Sequence, residues 1–400
     1  MNVLLRTLSL AGALCSALAA LVAIRLAAAE AIVRQDTVTS VQRALTLQGS
    51  APAEEFEQRL ADLDPPRARE TLEYMVREVN PRSGAGWIEL GMLNEAHGNP
   101  AAAERSLLKA AQVDHQYLPA WTLANFYFRQ GAPESFWSWA VRAAFLSAER
   151  LADSDLAPLL QLCDGFEPDP DRLLAHFAGV PRMRLAYLSF LMTLNRWDAA
   201  QRVALGMTGD RSNDPYLINF ADRQIRAGHP EAAVPLWNAA SGLPAIDPTA
   251  GKPLSNGELK RAPTNLAFDW RLDRVDGIES IWKPTELVLK IDGSQPERCV
   301  MLEQTVYLTP RRYRLRFDYT TGVLPSSGVH WALNGQEGFE IESSQELREG
   351  IFELPRVHGM ANLQLIYRRS PGTTRTEEQI EIRHLRLESI PEVPFTEVMR

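Results

Sequence analysis

Cysteine is scarce: Cys15, Cys163 and Cys299 are the only three in 400 residues. That excludes a disulfide-dense scaffold and a cysteine-only zinc site. Cys163 and Cys299 fall in different halves of the chain, and each reads as a small buried apolar side chain. Lysine is rarer still in proportion, five against 37 arginines, a bias of composition and not of function. Clustered basic runs are missing and the formal charge is −8, so no nucleic-acid partner is predicted. The seven histidines are dispersed, with no zincin spacing and no cysteine at metal-site distance, and no metal is predicted. There is no phosphate-cradling glycine loop, no dinucleotide fingerprint and no Gly-x-Ser-x-Gly elbow, so neither a cofactor nor a catalytic residue is assigned. Glu54-Glu55 and Glu377-Glu378 are sequence neighbours of the kind that line solvated faces. With 45% hydrophobic residues the chain is no disordered polymer, and with one long apolar run it is no polytopic membrane protein.

That run covers residues 8–24, between Arg6 and Arg25, and is followed by Ala27-Ala28-Ala29. Its length favours an uncleaved membrane anchor over residues 1–29; a cleaved secretory signal is the alternative. Arg25 before the small residues is awkward for cleavage and can snorkel at a membrane interface. Both readings export the rest of the chain. The anchor reading predicts a single-pass, bacterial-type inner-membrane protein with its bulk outside the cytoplasm.

Beyond it the sequence repeats. Trp87 and Trp121 lie in the same column of a 34-residue period, as do Leu107 and Val141, and Ala110 and Ala144. Gly98-Asn99-Pro100 and Gly131-Ala132-Pro133 fall where a turn would join two helices. Weaker copies follow at 187–200 and 217–240, while Pro168, Pro170 and Pro181 interrupt the stretch 150–180. Trp87, Leu90, Gly91, Ala103, Leu107 and Ala110 together resemble the tetratricopeptide repeat, a helix-turn-helix unit with small residues where its helices cross. The resemblance implies an α-solenoid over residues 50–245 whose concave face docks a protein or peptide. Met92, Glu95, Phe126 and Arg129 are the candidate contacts on that face. Trp87, Trp121 and Trp237 read as core, and Trp137 and Trp139 as a seam between units.

Residues 246–262 are rich in Pro, Gly, Ser and Asp and read as a linker. After it the period changes from helical to two. Residues 286–291, 300–308, 313–319, 363–367 and 380–387 alternate apolar with polar between turn residues, which predicts an antiparallel sandwich. The feature order is more specific. Leu254-Ser255-Asn256-Gly257 opens the region, Phe268-Asp269-Trp270 follows, Gln304 leads through Leu308 and Pro310 to Tyr313, and Ile380 to Leu387 closes it. This resembles the jelly-roll domain of many carbohydrate-binding modules and covers residues 251–390. The fold class predicted is therefore α then β: a terminal apolar helix, a tetratricopeptide-type solenoid and a jelly-roll β-sandwich.

The resemblance implies sugar binding by exposed aromatic rings with amide neighbours. Trp282, Tyr319 and Trp331, with Asn334 and Gln336, are the candidate ligand residues. Trp270 reads as a plug at one end of the sandwich. The expected function is that of a non-catalytic interaction protein of the cell envelope, docking a protein partner on its helices and a glycan or second protein on its sandwich, as an accessory to polysaccharide assembly or export. The alternative is a glycan-active hydrolase or lyase using two sandwich carboxylates facing each other across a cleft.

Overall fold

The computed structural model describes residues 18–25, 27–28, 31, 43, 65–147, 156–322 and 327–390. Most of the apolar run, residues 8–17, lies outside these, and so does Cys15. Among the described residues no helix is long and apolar enough to cross a membrane. The expectation of a single-pass inner-membrane protein is corrected on this finding.

The described chain is helical to Ala240 and stranded from Trp270 onward. It divides into two compact units, Met1–Thr193 and Leu194–Arg400. The first holds α1 (Pro65–Tyr74, continued by a π-helical turn Met75–Val79), α2 (Gly84–Ala96), α3 (Pro100–Val113), α4 (Tyr117–Arg129), α5 (Pro133–Ser147), α6 (Ala157–Phe166), α7 (Pro170–His176) and α8 (Arg182–Thr193). Helix starts follow local chemistry. The Ser83 hydroxyl caps α2 by accepting from Gly86 N at 3.0 Å, and Asn99 caps α3 through Ala102 N at 3.1 Å, with Pro100 in the first helical turn. Pro170, which interrupts the sequence pattern, likewise sits at a helix start, after the Asp169 cap.

The small residues of the repeat lie where paired helices touch. Ala103 and Ala110 are fully buried. Gly91 leaves no room for a methyl, since a Cβ there would come within 2.6 Å of Leu107 Cδ2 and 3.3 Å of Ala103 O. One polar tie recurs at the same 23-residue offset. Tyr127 donates to Glu104 at 2.7 Å, Tyr187 to Asp164 at 2.9 Å and, in the second unit, Gln224 to Gln201 at 2.7 Å. Trp137 stacks on His176 of α7 with centroids 3.8 Å apart, which places it in a seam between helices.

The second unit begins with α9 (Trp197–Leu205), α10 (Asp214–Arg226) and α11 (Pro230–Ala240) and continues into ten strands. These are β1 (Trp270–Arg271), β2 (Ile278–Lys283), β3 (Glu286–Asp292), β4 (Arg298–Leu308), β5 (Arg312–Thr320), β6 (Val329–Leu333), β7 (Gln336–Glu340), β8 (Arg348–Glu353), β9 (Gly359–Arg368) and β10 (Glu377–Ile390). They form two five-stranded antiparallel sheets, a front sheet ordered β1-β4-β9-β6-β7 and a back sheet ordered β2-β3-β10-β5-β8. The closing strand β10 therefore lies between β3 and β5 and not at the edge. Alternation sets the core: Leu363, Leu365 and Tyr367 of β9 face Leu315, Phe317 and Tyr319 of β5 from the opposite sheet, around Trp270 and Trp331.

The stretch 246–262 lacks regular structure but is packed. Ile246, Ser255, Asn256 and Leu259 are buried. Gln304 and Ser255 exchange hydrogen bonds of 3.2 and 2.9 Å, and Trp237 of α11 donates to the Ser255 hydroxyl at 3.1 Å. Asp222 of α10 is also buried. It accepts from Ala267 N at 2.8 Å and pairs with Arg271 at 3.1 Å and Arg226 at 2.8 Å. These contacts fix the α10–α11 hairpin beside the β1–β4 edge of the front sheet.

Candidate functional site

The two outward faces of the sandwich differ in chemistry. On the back sheet Arg312 and Arg314 pair with Glu353, Arg316 with Glu349, and Arg383 with Glu286 and Glu381. Burial works to raise the Glu286 pKa, but Lys283 and Arg383 outweigh it and hold that carboxyl below its usual value. Neutralised charge ladders of this kind make a solvated surface.

The front face is built from uncharged amides as well as charges. Along β9, Met360, Asn362, Gln364 and Arg368 stand on the outward face between the buried Ala361, Leu363, Leu365 and Tyr367, and Ile366 on the same face is itself buried. The register places Thr305 opposite Asn362, Glu303 opposite Gln364 and Val300 opposite Ile366 on β4, and Ala332 opposite Gln364 on β6. A polar relay crosses these strands. Arg271 donates to Thr305 at 3.3 Å, Thr305 to Asn362 Oδ1 at 3.2 Å, and Gln364 Nε2 to Glu303 at 2.6 Å. Asn362 N donates to Asn334 Oδ1 at 2.8 Å. Asn334 and Gly335 form the two-residue turn between β6 and β7, with φ of 51° and 77°, values that suit Asn-Gly.

Two depressions open on this face. One, of about 550 Å³, is lined by Arg298, Val300, Asn334, Asn362, Gln364 and Ile366 among others. The other, of about 540 Å³, lies between the α10–α11 turn and the end of β4 and β9, around Glu231, Tyr307 and Met360. Tyr307 donates to Glu231, and that bond, with burial and the carboxylate charge adding to it, pushes the phenol up to about 12. Among the described residues no group of three or more His, Cys, Asp or Glu side chains is placed to hold a metal ion.

The sequence-derived candidates are scattered by this geometry. Asn334 lines the 550 Å³ depression. Gln336 is exposed on the edge strand β7. Trp282 belongs to the back sheet, half-buried, and its indole donates to Leu259 O at 2.8 Å. Tyr319 and Trp331 are buried in the core, which removes both rings from any ligand surface. Their inward positions follow from strand period, since Trp331 pairs with the buried Leu365 and Tyr319 with Ile382. In the helical unit Met92 is 55% exposed, whereas Phe126 is buried. Glu95 and Arg129 form a two-pronged ion pair of 2.8 and 2.7 Å, and this bond raises the Arg129 pKa. Arg298, Glu303, Thr305, Asn362 and Gln364 were not singled out from sequence. Their signal is amides at alternate positions of a strand whose other positions are Leu.

No family model and no curated protein matches the chain. Among solved structures, a family 29 carbohydrate-binding module variant complexed with mannohexaose is 16% identical, covering 32% of this chain and 86% of its own, with a TM-score of 0.22. Another family 29 module is 17% identical over 32% of this chain and 84% of its own, with a TM-score of 0.21. A variant complexed with cellulohexaose is 16% identical over 29% and 77%, with a TM-score of 0.19. Similarity at these values assigns no ligand to this chain.

Proposed function

We propose that the second unit is a non-catalytic glycan-binding module whose ligand lies along the front face, over the amide row of Asn334, Asn362 and Gln364. The observation that carries this reading is the front face itself. It is an open strip with two depressions of about 550 and 540 Å³, bearing amides where the back face bears charge ladders. Amides suit sugar hydroxyls, because each offers a donor and an acceptor in one plane. Val300, half-buried at the edge of the first depression, supplies an apolar contact for the C–H face of a ring. The helical unit then serves as the scaffold that carries the module, in a role beside the machinery that builds or moves a polysaccharide.

The test is calorimetric titration of the full chain with soluble oligosaccharides, repeated on the double variant N362A/Q364A. Both side chains face outward, so the melting temperature is expected to stay within about 2 °C, since surface substitutions cost little. Affinity is expected to fall at least tenfold, as for loss of two hydrogen-bonding groups. Equal affinity in the two proteins overturns the assignment of this face.

A further inference from the structure

The 550 Å³ depression carries a charge that the other arginines on the strands do not leave open. On the front sheet Arg271 is matched by Asp222 and Glu303, and Arg368 by both oxygens of Glu337 at 3.0 and 3.1 Å. On the back sheet Arg312, Arg314, Arg316, Arg348, Arg383 and Arg386 each have a carboxylate partner. Arg298, at the start of β4, has none among the described residues. Its guanidinium makes one bond, from Nη2 to Gly335 O at 3.3 Å, which holds it over the Asn334-Gly335 turn. In the register it stands opposite Arg368, whose guanidinium takes both oxygens of Glu337. Next to them Arg369 and Arg375 share Glu297. This corner is locally positive on a chain of net charge −8.

Hydrogen-bonding capacity is one-sided in the same place. Asn334 Oδ1 is occupied by Asn362 N–H, which fixes the amide orientation and leaves Nδ2 without a partner among the described residues. Asn362 Oδ1 is occupied by Thr305, which leaves its Nδ2. Gln364 has its Nε2 committed to Glu303, an acceptor only, so it offers Oε1. Arg298 retains Nε and Nη1. The open capacity is thus weighted towards donors: a guanidinium, two amide N–H₂ groups and the second Nε2 proton of Gln364, against Gln364 Oε1 and one remaining lone pair on each Asn oxygen. A hydroxyl both gives and accepts, and needs no such surplus. A carboxylate only accepts, and a guanidinium is its natural two-pronged partner.

We infer that this depression selects a sugar ring bearing a carboxylate, a uronic acid residue, with Arg298 on the carboxylate, Asn334 and Asn362 donating to the ring and carboxylate oxygens, and Gln364 Oε1 accepting from a hydroxyl. The inference rests on the glycan-binding reading above and narrows it to acidic polysaccharide. Long-range attraction plays little part, because the net charge of the chain opposes a polyanion. Selectivity is local to one side chain.

The experiment uses the full chain and two matched probes, a 1,4-linked oligouronate hexamer and the same hexamer with its carboxyls reduced to hydroxymethyl groups. A sulfated oligosaccharide serves as competitor. The wild type is expected to bind the oligouronate at least tenfold more tightly than the reduced hexamer, with an affinity that falls as salt rises. R298Q is expected to erase that preference, by lowering oligouronate affinity at least tenfold more than reduced-hexamer affinity, with the melting temperature unchanged. R298K is expected to restore part of it, and the sulfated competitor to displace neither probe. Equal binding of the two hexamers by the wild type, a preference that survives in R298Q, or displacement by the sulfated sugar each overturns the uronate inference and leaves the glycan reading standing. If the wild type binds neither hexamer and no neutral oligosaccharide, both fall.

Discussion

Tyr307 links the two kinds of structure in the second unit, strand and helix, through one proton. Its hydroxyl donates to Glu231 in the first turn of α11, and the neutral phenol is the form that can do so. The folded-state pKa, up to about 12, stands above the ordinary value of about 10. The sign follows: the stabilisation is fully present below pH about 10 and is lost as pH climbs through about 12. Solvent reaches this pair, so the contribution is on the order of 0.5–1 kcal/mol. Y307F is expected to melt about 1–4 °C below the wild type at pH 7–9, with the gap closing above pH 10. A gap that persists unchanged to pH 12 removes the role assigned to the proton. At this scale the sequence was only half legible. Alternation identifies strands but not which side of a strand is wet, so Tyr319 and Trp331 read from sequence as ligand residues although they are core. Asn362 and Gln364 carry no motif in sequence; only pairing with β4 and β6 gathers them into a row.

Among elements, the long strands were legible and the short ones were not. β4, β5, β9 and β10 run nine residues or more and alternate clearly. β1 has two residues, β2 is half-buried along most of its length, and β7 and β8 carry Gly and charge at the sheet edges, where packing does not enforce a pattern. The Asn334-Gly335 pair was a hairpin signal in plain sight. The Asn256-Gly257 pair, legible in sequence as the opening of the stranded region, acquires a physical reason from β10. That strand has a register shift between Arg383 and Arg386, with His384 at φ 48°. Leu385 N, within the shift, donates to Gly257 O at 2.9 Å, and a Cβ on residue 257 would stand 2.1 Å from Leu385 O. That neighbour is backbone and cannot swing aside. G257A is expected to cost at least about 1–3 kcal/mol. The opening loop receives both Trp270 and Trp282, at Asn256 O and Leu259 O. Tryptophan fluorescence should therefore report a melting temperature lower by about 2–10 °C, with helical circular dichroism at 25 °C unchanged. Wild-type melting in G257A would mean that the loop does not rest on the bulge.

For the whole molecule, the change from helical to stranded sequence is real but does not mark where the chain divides. Pro, Gly, Ser and Asp between 246 and 262 record the loss of regular backbone, whereas burial depends on what the side chains meet, which composition does not encode. Here Ser255 bridges Trp237 and Gln304, and Asn256 accepts the Trp270 indole on its carbonyl and donates to Asp269 at 3.1 Å. Asp222, on a helix that reads from sequence as part of the repeat array, is 7% exposed and satisfies both Ala267 N–H and Arg271 of the front sheet. A fragment starting at 246 would leave Arg271 and Glu303 facing water and strip Phe268 of its contact with Trp237. Losing the Asp222 bonds to Ala267 N and Arg271 costs about 1–3 kcal/mol, a sizeable share of the roughly 5–15 kcal/mol that holds a domain folded. A fragment beginning at Leu194, the start of the second compact unit, keeps all of these contacts. Residues 194–400 are expected to give a single cooperative melt in urea, and residues 246–400 a broad, low-amplitude transition with protease-sensitive termini. D222A in the full chain provides the matched control, with an expected loss of about 1–3 kcal/mol from the orphaned Ala267 N–H. Equal stability of the two fragments would show that the helical hairpin is a neighbour of the sandwich and not a part of its fold.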